Sequence, residues 1–161
     1  MLNILQYGDP QLAQQANAVI NFDLSLQDLV EEMMSTMQAY AGVGIAAPQV
    51  GHNLAVFILA SRPNQRYPDA PLMEPCVMCN PSYQVVDEQL IWGEEGCLSL
   101  ANKRFSIARF KAIEVRFQTV TGQWQQQVLS DFIARVFQHE FDHLQGITLM
   151  ERQQFQMELT Q

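Results

Sequence analysis

The sequence predicts an α+β protein with mixed, mainly antiparallel sheets around a central helix, and with another helix near the N-terminus. Segments with the two-residue alternation of half-buried strands cluster in the middle of the chain. Segments with the three- and four-residue spacing of amphipathic helices lie towards both ends. This order argues against alternating βαβ units. The length of 161 residues suits a single catalytic domain spanning 1–161.

The N-terminal helix is predicted over residues 25–40. Its apolar face comprises Leu26, Leu29, Val30, Met33, Met37 and Tyr40. Ser25 is the predicted N-cap, and Gly42 follows the predicted end. Small residues at 42–51 then lead into a predicted strand at 54–59.

The middle of the chain predicts a surface loop followed by strands. Residues 61–75 are polar and contain four prolines, which indicates a loop. Strand patterns follow around 83–86 and over 113–119. Thr121-Gly122 is a candidate two-residue hairpin turn into the next strand.

The central helix is predicted over residues 131–145 and carries the motif discussed below. Ser130 is its expected cap, and Gly146 lies where it should stop. Beyond it, residues 152–161 are interpreted as a short polar tail.

Composition excludes several functions. A net charge of -8 with only nine Lys and Arg residues argues against nucleic-acid binding. The N-terminus lacks the basic and apolar regions of a secretory signal, and no apolar run reaches the ~18 residues that span a bilayer. We therefore expect a cytoplasmic protein with no membrane partner. An odd count of three cysteines favours free thiols or metal ligands over a disulfide framework.

The run Gln138-His139-Glu140-Phe141-Asp142-His143 predicts a metal-dependent hydrolase centre. Residues four apart lie on one face of a helix, so His139 and His143 can bind one metal. Glu140 lies at the rim of that face, where it can reach water on the metal without ligating. Two histidines one turn apart on a solvated helix would be the simpler interpretation.

Two histidines do not complete a metal site, and the sequence offers two sources for the rest. Cys76 and Cys79 would complete a closed Cys2His2 structural zinc site. Cys97 would instead give three ligands and an open position. A closed structural site has no use for Glu140 beside the metal, which weakens the first alternative.

Three segments, 42–49, 95–99 and 138–143, together resemble the signature motifs of the peptide deformylase family in order and spacing. The N-terminal stretch 4–7 matches as well, and the resemblance runs from about residue 3 to residue 152. It implies one divalent metal per chain, held by Cys97, His139 and His143. Fe(II) would be the native ion, with Zn, Ni or Co able to replace it. Cys76 and Cys79 would then be ordinary half-buried thiols.

The same resemblance implies a substrate and a set of roles. The substrate would be an N-formyl-methionyl nascent peptide, cleaved to formate and a free amino terminus. Glu140 would take a proton from water on the metal, while the Gln49 side chain and the Leu98 backbone N–H would stabilise the oxyanion. A deacylase of different preference and a metal-binding paralogue without turnover are the alternatives.

Residues around the centre are assigned by the resemblance to substrate binding or support. The substrate-binding set, besides His139, is Val43, Gly44, Ile45, Gly96, Arg104, Phe132 and Val136. The segment at Gly44-Ile45 would offer a sheet edge to an extended peptide. Glu95 would support the metal ligands from behind. The simpler interpretation of the apolar members is core packing. For Glu95 and Arg104 it is a surface ion pair.

The sequence departs from the family pattern at three places. Gly8 and Ala101 stand where prolines are common, which leaves the local backbone freer. The tail also lacks the long basic helix by which some members dock on ribosomes. We therefore expect no ribosome docking through a C-terminal helix.

Overall fold

The computed structural model describes residues 1–159 and has the predicted α+β class. Its five strands, all paired antiparallel in chain order, are β1 Gly44–Ala46, β2 Val56–Ser61, β3 Met73–Cys97, β4 Leu100–Gln118 and β5 Trp124–Ser130. Its helices are α1 Leu24–Ala39, α2 Asp131–Leu144 and α3 Leu149–Leu159, with short 3-10 turns at Pro10–Ala13 and Ala47–Val50. Within the described range, every helix is too short or too polar to cross a membrane.

Helix α1 starts one residue earlier than predicted because a different residue caps it. The Asp23 carboxylate accepts the backbone N–H of Leu26 at 3.0 Å, so Asp23 is the N-cap and the prediction of Ser25 is wrong. At the other end, the N–H of Gly42 donates to the Met37 carbonyl at 2.9 Å, as expected for a residue just past a helix.

The strands are longer than their local patterns predicted. The single hairpin β3–β4 contains both segments that were predicted as short separate strands. The predicted loop shrinks to 62–72, because Met73 already pairs with Ser61. Pro75 lies within β3 at an irregularity of the β2–β3 register, where it interrupts no regular pairing.

The β4–β5 turn is longer than predicted. The Thr119 N–H donates to the Gln123 carbonyl at 2.8 Å, which leaves three residues in the loop. Gly122 is the last of them and has a φ of 87°. A three-residue hairpin needs a residue in the left-handed region at this place, and glycine supplies it without strain. The two-residue turn was therefore wrong, although the glycine signal was correct.

Helix α2 is the central helix and is covered on nearly all sides. Phe137 is fully buried and packs edge-on against Phe57 of β2 and Tyr83 of β3, with ring centroids 5.3 and 5.7 Å away. The buried Gln138 amide exchanges two 3.0 Å hydrogen bonds with the backbone of Phe110. Polar residues on this helix are therefore paired with strand groups, which fixes its rotation and hence the direction of its histidines.

The described part of the polar tail predicted over 152–161 is helical, because residues up to Leu159 belong to α3. This helix has little apolar character of its own and is held by polar contacts. The Gln156 side chain pairs with the Ala108 backbone at 2.9 and 3.2 Å, and Arg152 binds Asp142 with two hydrogen bonds. Periodicity cannot reveal such a helix, since its partners are distant in sequence.

Removing the Phe137 ring should lower the free energy of unfolding strongly. We expect Phe137→Ala to cost about 3–5 kcal/mol in urea denaturation, because it leaves a cavity between α2 and the sheet. Phe155→Ala is the control, since Phe155 is 43% exposed on α3, and should cost no more than about 1 kcal/mol. Equal losses in the two variants would contradict this description of the core.

Candidate metal centre

Three potential metal ligands converge at the buried face of α2. The ligand atoms of Cys97, His139 and His143 all lie within 4.8 Å of one another. The Cys97 Sγ is 3.4 Å from Nε2 of His143. The histidines come from successive turns of α2, and Cys97 is the last residue of β3. Among the described residues this is the cluster that could hold a metal ion.

Cys76 and Cys79 stand apart from this cluster. Both lie on β3, where Cys76 is half-buried and Cys79 is fully buried, and each packs in a different core cluster. Burial raises the pKa of both thiols, that of Cys79 to about 11. These are neutral packing thiols, so the structure favours Cys97 and not the C-x-x-C pair as the source of the third ligand.

Cys97 has the electrostatic surroundings of a thiolate. Burial by itself would raise the pKa of the Cys97 thiol, but the adjacent His143 and His139 outweigh it and hold that pKa well below its usual range. The Gln49 Nε2 also approaches the sulfur at 3.6 Å. A thiolate and two imidazoles form a donor set that binds several divalent ions.

Glu95 fixes the orientation of His139. Its Oε1 lies 2.9 Å from Nδ1 of His139, which leaves Nε2 for a metal. Glu95 also receives two hydrogen bonds from Arg109, at 2.8 and 2.9 Å, and one from Arg135 at 2.7 Å. Burial opposes its charge, but Arg109 foremost and then His139 hold the pKa of this carboxyl well below its usual range.

The ion pairs continue from Glu95 to the C-terminal helix. Arg109 bridges Glu95 and Asp142, with its Nη1 2.7 Å from the Asp142 carboxylate. Asp142 in turn accepts from Arg152 of α3 at 2.7 and 3.0 Å. Burial alone would lower the pKa of Arg109, but Glu95 and Asp142 raise it above its ordinary value. One chain of opposite charges thus links Glu95, the hydrogen-bond partner of His139, to α3.

Glu140 is buried beside the metal ligands and has little room. A Cβ on Gly44 would lie 2.6 Å from the Glu140 Oε1, so only glycine leaves space for this carboxylate. The Oε2 of Glu140 has no hydrogen-bond partner among the described residues. Burial raises the pKa of Glu140 to about 7, partly offset by His139 and His143. A cation in the centre would favour the ionised form, which is the one that can act as a base.

Gln49 is held with its amide nitrogen towards Cys97. Its Oε1 accepts the Ala46 N–H at 2.9 Å, and its Nε2 donates to the Ser99 hydroxyl at 3.1 Å. Leu98 lies with Ser99 in the two-residue turn between β3 and β4. The N-terminal stretch steadies both sides of this arrangement, because Leu5 N–H donates to the Gln49 carbonyl and Tyr7 N–H to the Ser99 carbonyl, each at 2.7 Å.

A narrow cleft opens in front of these groups. Of the residues singled out in the sequence, those lining it are Val43, Gly44, Gln49, Glu95, Gly96, Cys97, Leu98, Phe132, Val136, His139 and Glu140. Ile45 is the exception among the apolar candidates, since its side chain is fully buried in the core behind β1. Arg104 lies outside the lining, 3.6 Å from Glu94 and over the Tyr67 ring.

The sequence interpretation missed four residues that shape this site. Arg109 and Arg135 hold Glu95, while Arg66 and Tyr67 bring the loop 62–72 into the cleft. Arg135 had a signal, because it lies one helical turn before His139. The others had none, since long-range pairing and the path of a loop decide their positions.

The residues present fit a bound metal. The cluster is buried, it supplies two nitrogens and a sulfur, and a carboxylate fixes one imidazole from behind. The partnerless oxygen of Glu140 lies in the same buried cleft. Three protein ligands and a neighbouring base are the arrangement of a catalytic metal site, whereas a structural site uses four. The fold and site therefore define the class of metal-dependent hydrolases.

Comparisons with known proteins identify the family within that class. The family described as polypeptide deformylase matches residues 1–157. Peptide deformylase 2 of Shewanella oneidensis is 57% identical over 153 residues, 95% of this chain and 84% of that protein. The class I type b peptide deformylase of Acinetobacter baumannii, solved with Met-Ala-Ser bound, superposes with a TM-score of 0.92 at 41% identity, covering 94% of this chain and 98% of that one. The chain belongs to the polypeptide deformylase family.

Glu95→Gln should weaken metal binding. The amide supplies no negative charge to His139, so we expect the affinity for Zn(II) to fall about 10- to 100-fold in chelator competition. Glu94→Gln is the matched control, because Glu94 is exposed on the neighbouring position, and it should retain the native affinity. Circular dichroism checks that both variants are folded. Equal affinities in the folded variants would contradict this role for Glu95.

Metal content should distinguish Cys97 from the pair Cys76 and Cys79. We expect the Cys76→Ala/Cys79→Ala double variant to keep one metal per chain, because neither thiol reaches the cluster. Cys97→Ala should lose most of its metal, because it removes one of three ligands. Metal content by atomic absorption measures both. Loss of the metal from the double variant would overturn the ligand assignment.

Proposed function

We propose that this chain removes the N-formyl group from the N-terminal methionine of newly made polypeptides and releases formate. Members of its family act on formylated nascent peptides. The observation that carries the proposal is the buried Glu140 carboxylate, with one oxygen unpartnered, beside the Cys97, His139 and His143 cluster. We further propose that the protein acts in the cytoplasm, because its proposed substrates emerge from ribosomes there.

Cys97, His139 and His143 would hold the divalent ion. When bound, such an ion lowers the pKa of water and polarises a carbonyl. Because imidazole and thiolate suit several metals, the donor set alone does not choose among them. From the resemblance to deformylases we propose Fe(II) as the native ion, with Zn, Ni or Co able to occupy the same ligands.

Glu140 is the proposed general base and then the general acid. Its ionised carboxylate takes the proton of the attacking water, and the resulting nucleophile adds to the formyl carbon. As the C–N bond breaks, Glu140 returns that proton to the departing amine, so the peptide leaves with a neutral amino group. Gly44 keeps the space in which the carboxylate sits, since any side chain there would displace it.

Gln49 and Leu98 are the proposed donors to the oxyanion. Negative charge develops on the former formyl oxygen during the attack, and donors already in place stabilise it without reorganisation. The Gln49 amide is fixed by Ala46 on its oxygen side, so its N–H groups face Cys97 and Ser99. The Leu98 N–H would complete the pair from the turn that follows Cys97.

Substrate binding would combine a sheet edge with an apolar pocket. β1 is the edge strand of the sheet, so an extended peptide can pair with it at Gly44 through main-chain hydrogen bonds. The methionine side chain would enter the cleft between Val43, Phe132 and Val136, with Gly96 on the facing strand. Ile45 would contribute its backbone to the edge, while its side chain packs in the core.

A formate-release assay tests the proposed activity. Purified without oxygen and loaded with Fe(II) or Ni(II), the protein should release formate from formyl-Met-Ala-Ser. We expect Glu140→Ala to keep its metal and lose about 10²- to 10⁴-fold in kcat, the contribution of a positioned base. Glu31→Ala, an exposed acid on α1, is the control and should retain full activity.

The assay also separates the alternatives. A fully metallated wild type that releases no formate would overturn the proposal and favour a paralogue without turnover. Release of acetate from the acetylated peptide, with none from the formylated one, would favour a deacylase of different preference. Full activity in Glu140→Ala would contradict the assignment of the base.

A further inference from the structure

The loop 62–72 forms the outer wall of the cleft. Arg66 and Tyr67 line the same cleft as Val43 and Gly44, although they are distant in sequence from the signature segments. The Asn64 side chain orients both residues, because its Oδ1 accepts their backbone N–H groups at 2.8 and 2.9 Å. This Asx turn gives the tip of the loop a defined conformation.

Tyr67 anchors the loop to the site on three sides. Its ring packs against Phe132 with centroids 5.0 Å apart, and the Arg104 guanidinium lies 5.0 Å from its ring centre. Its hydroxyl accepts the N–H of Gly96 at 3.2 Å. Because Gly96 immediately precedes the metal ligand Cys97, the loop is tied to the centre itself.

Arg66 places a guanidinium without a carboxylate partner in this wall, with its Cζ 5.7 Å from the centre of the Tyr67 ring. Its Nη2 would be 2.9 Å from a Cβ on Gly96, so the guanidinium lies directly against the backbone beside Cys97. Among the described residues, no carboxylate forms a salt bridge with Arg66, and no hydrogen bond leaves its guanidinium. The other arginine that lines the cleft, Arg135, is paired with Glu95.

Arg66 differs from the other buried or half-buried arginines of the described chain, Arg109, Arg135 and Arg152, each of which has a carboxylate partner. The chain has 17 acidic and 9 basic residues, so acidic partners are abundant. Arg104 has Glu94, Arg109 has Glu95 and Asp142, and Arg152 has Asp142. A half-buried guanidinium without a carboxylate, facing a peptide cleft, is suited to an anion on the ligand.

We propose that Arg66 binds a carboxylate side chain on the second or third residue of the peptide substrate, and so favours acidic nascent chains. This inference rests on the proposed function and adds a specificity to it. An extended peptide paired with β1 advances about 3.3 Å per residue, so its downstream side chains pass the wall formed by the loop. Tyr67 ties the loop to Gly96 and Phe132, and the planar Arg66 guanidinium can bind a carboxylate bidentately.

Two carboxylates of a short peptide could meet Arg66, the acidic side chain and the free C-terminus. A nascent chain on the ribosome has no free C-terminus near its formyl group, so only the side chain is relevant there. Peptides with an amidated C-terminus remove the second source. The substrates are therefore formyl-Met-Ala-Glu-amide and formyl-Met-Glu-Ala-amide, each with its Gln counterpart.

The test compares these peptides on the metal-loaded wild type, Arg66→Gln and Arg62→Gln. Arg62 is the matched control, because it is an exposed arginine of the same loop outside the cleft lining. We expect the better Glu peptide to exceed its Gln counterpart about five- to tenfold in kcat/KM, through a lower KM. Arg66→Gln should abolish that ratio, whereas Arg62→Gln should preserve it. Added salt should reduce it in the wild type.

Calorimetric binding of the product peptides gives a second readout that needs no turnover. The peptides are Met-Ala-Glu-amide and Met-Glu-Ala-amide, each with its Gln counterpart. The same preference for Glu should appear in Kd and vanish in Arg66→Gln. A wild-type ratio of Glu to Gln peptide below twofold at both positions would overturn the inference, even if the Gln peptides are deformylated. A ratio that is unchanged in Arg66→Gln would overturn it as well. No turnover of any peptide would instead count against the proposed function. The same peptides with free C-termini are measured in parallel. An effect of Arg66→Gln that appears only with them would also overturn the inference, because it would assign Arg66 to the terminal carboxylate.

Discussion

The buried carboxylate of Glu95 is the interaction on which the rest of the structure depends. It joins β3 to β4 through Arg109 and to α2 through Arg135 and His139, all within 2.9 Å. An unpaired buried carboxylate would be protonated or would cost several kcal/mol of desolvation, so it requires all of these donors at once. The orientation of His139 is thereby tied to the register of the long hairpin and the rotation of the central helix.

A buried network of this kind is poor evidence for stability but good evidence for positioning. Replacing such pairs by apolar residues is often neutral for folding, because desolvation offsets most of the attraction. The directional bonds from Arg109 and Arg135 nevertheless allow only one placement of Glu95. Asp142 accepts hydrogen bonds from both Arg109 and Arg152 in the same way. These bonds hold α3 at a defined place although the helix has little apolar character.

The sequence predicted what depends on local spacing and missed what depends on long-range pairing. His139, Glu140 and His143 follow from helical geometry, and Cys97 follows from the signature segment that contains it. The extent of the β3–β4 hairpin did not follow, because its strands are irregular and largely exposed and show no clean alternation. Arg66 and Tyr67 were invisible for a related reason: a proline-rich segment predicts a loop but carries no information about which surface the loop covers.

At two glycines of the signature segments, Gly44 and Gly96, an added Cβ would meet a charged side chain that lines the cleft. A side chain at Gly44 would collide with the Glu140 carboxylate, and one at Gly96 would collide with the Arg66 guanidinium. The first collision lies between a strand edge and the central helix, and the second between the metal-ligand strand and the loop. In both cases a charged group occupies the space that a Cβ would otherwise fill. Glu140 and Arg66 thus both line the same cleft, and each lies against a glycine that leaves room for it.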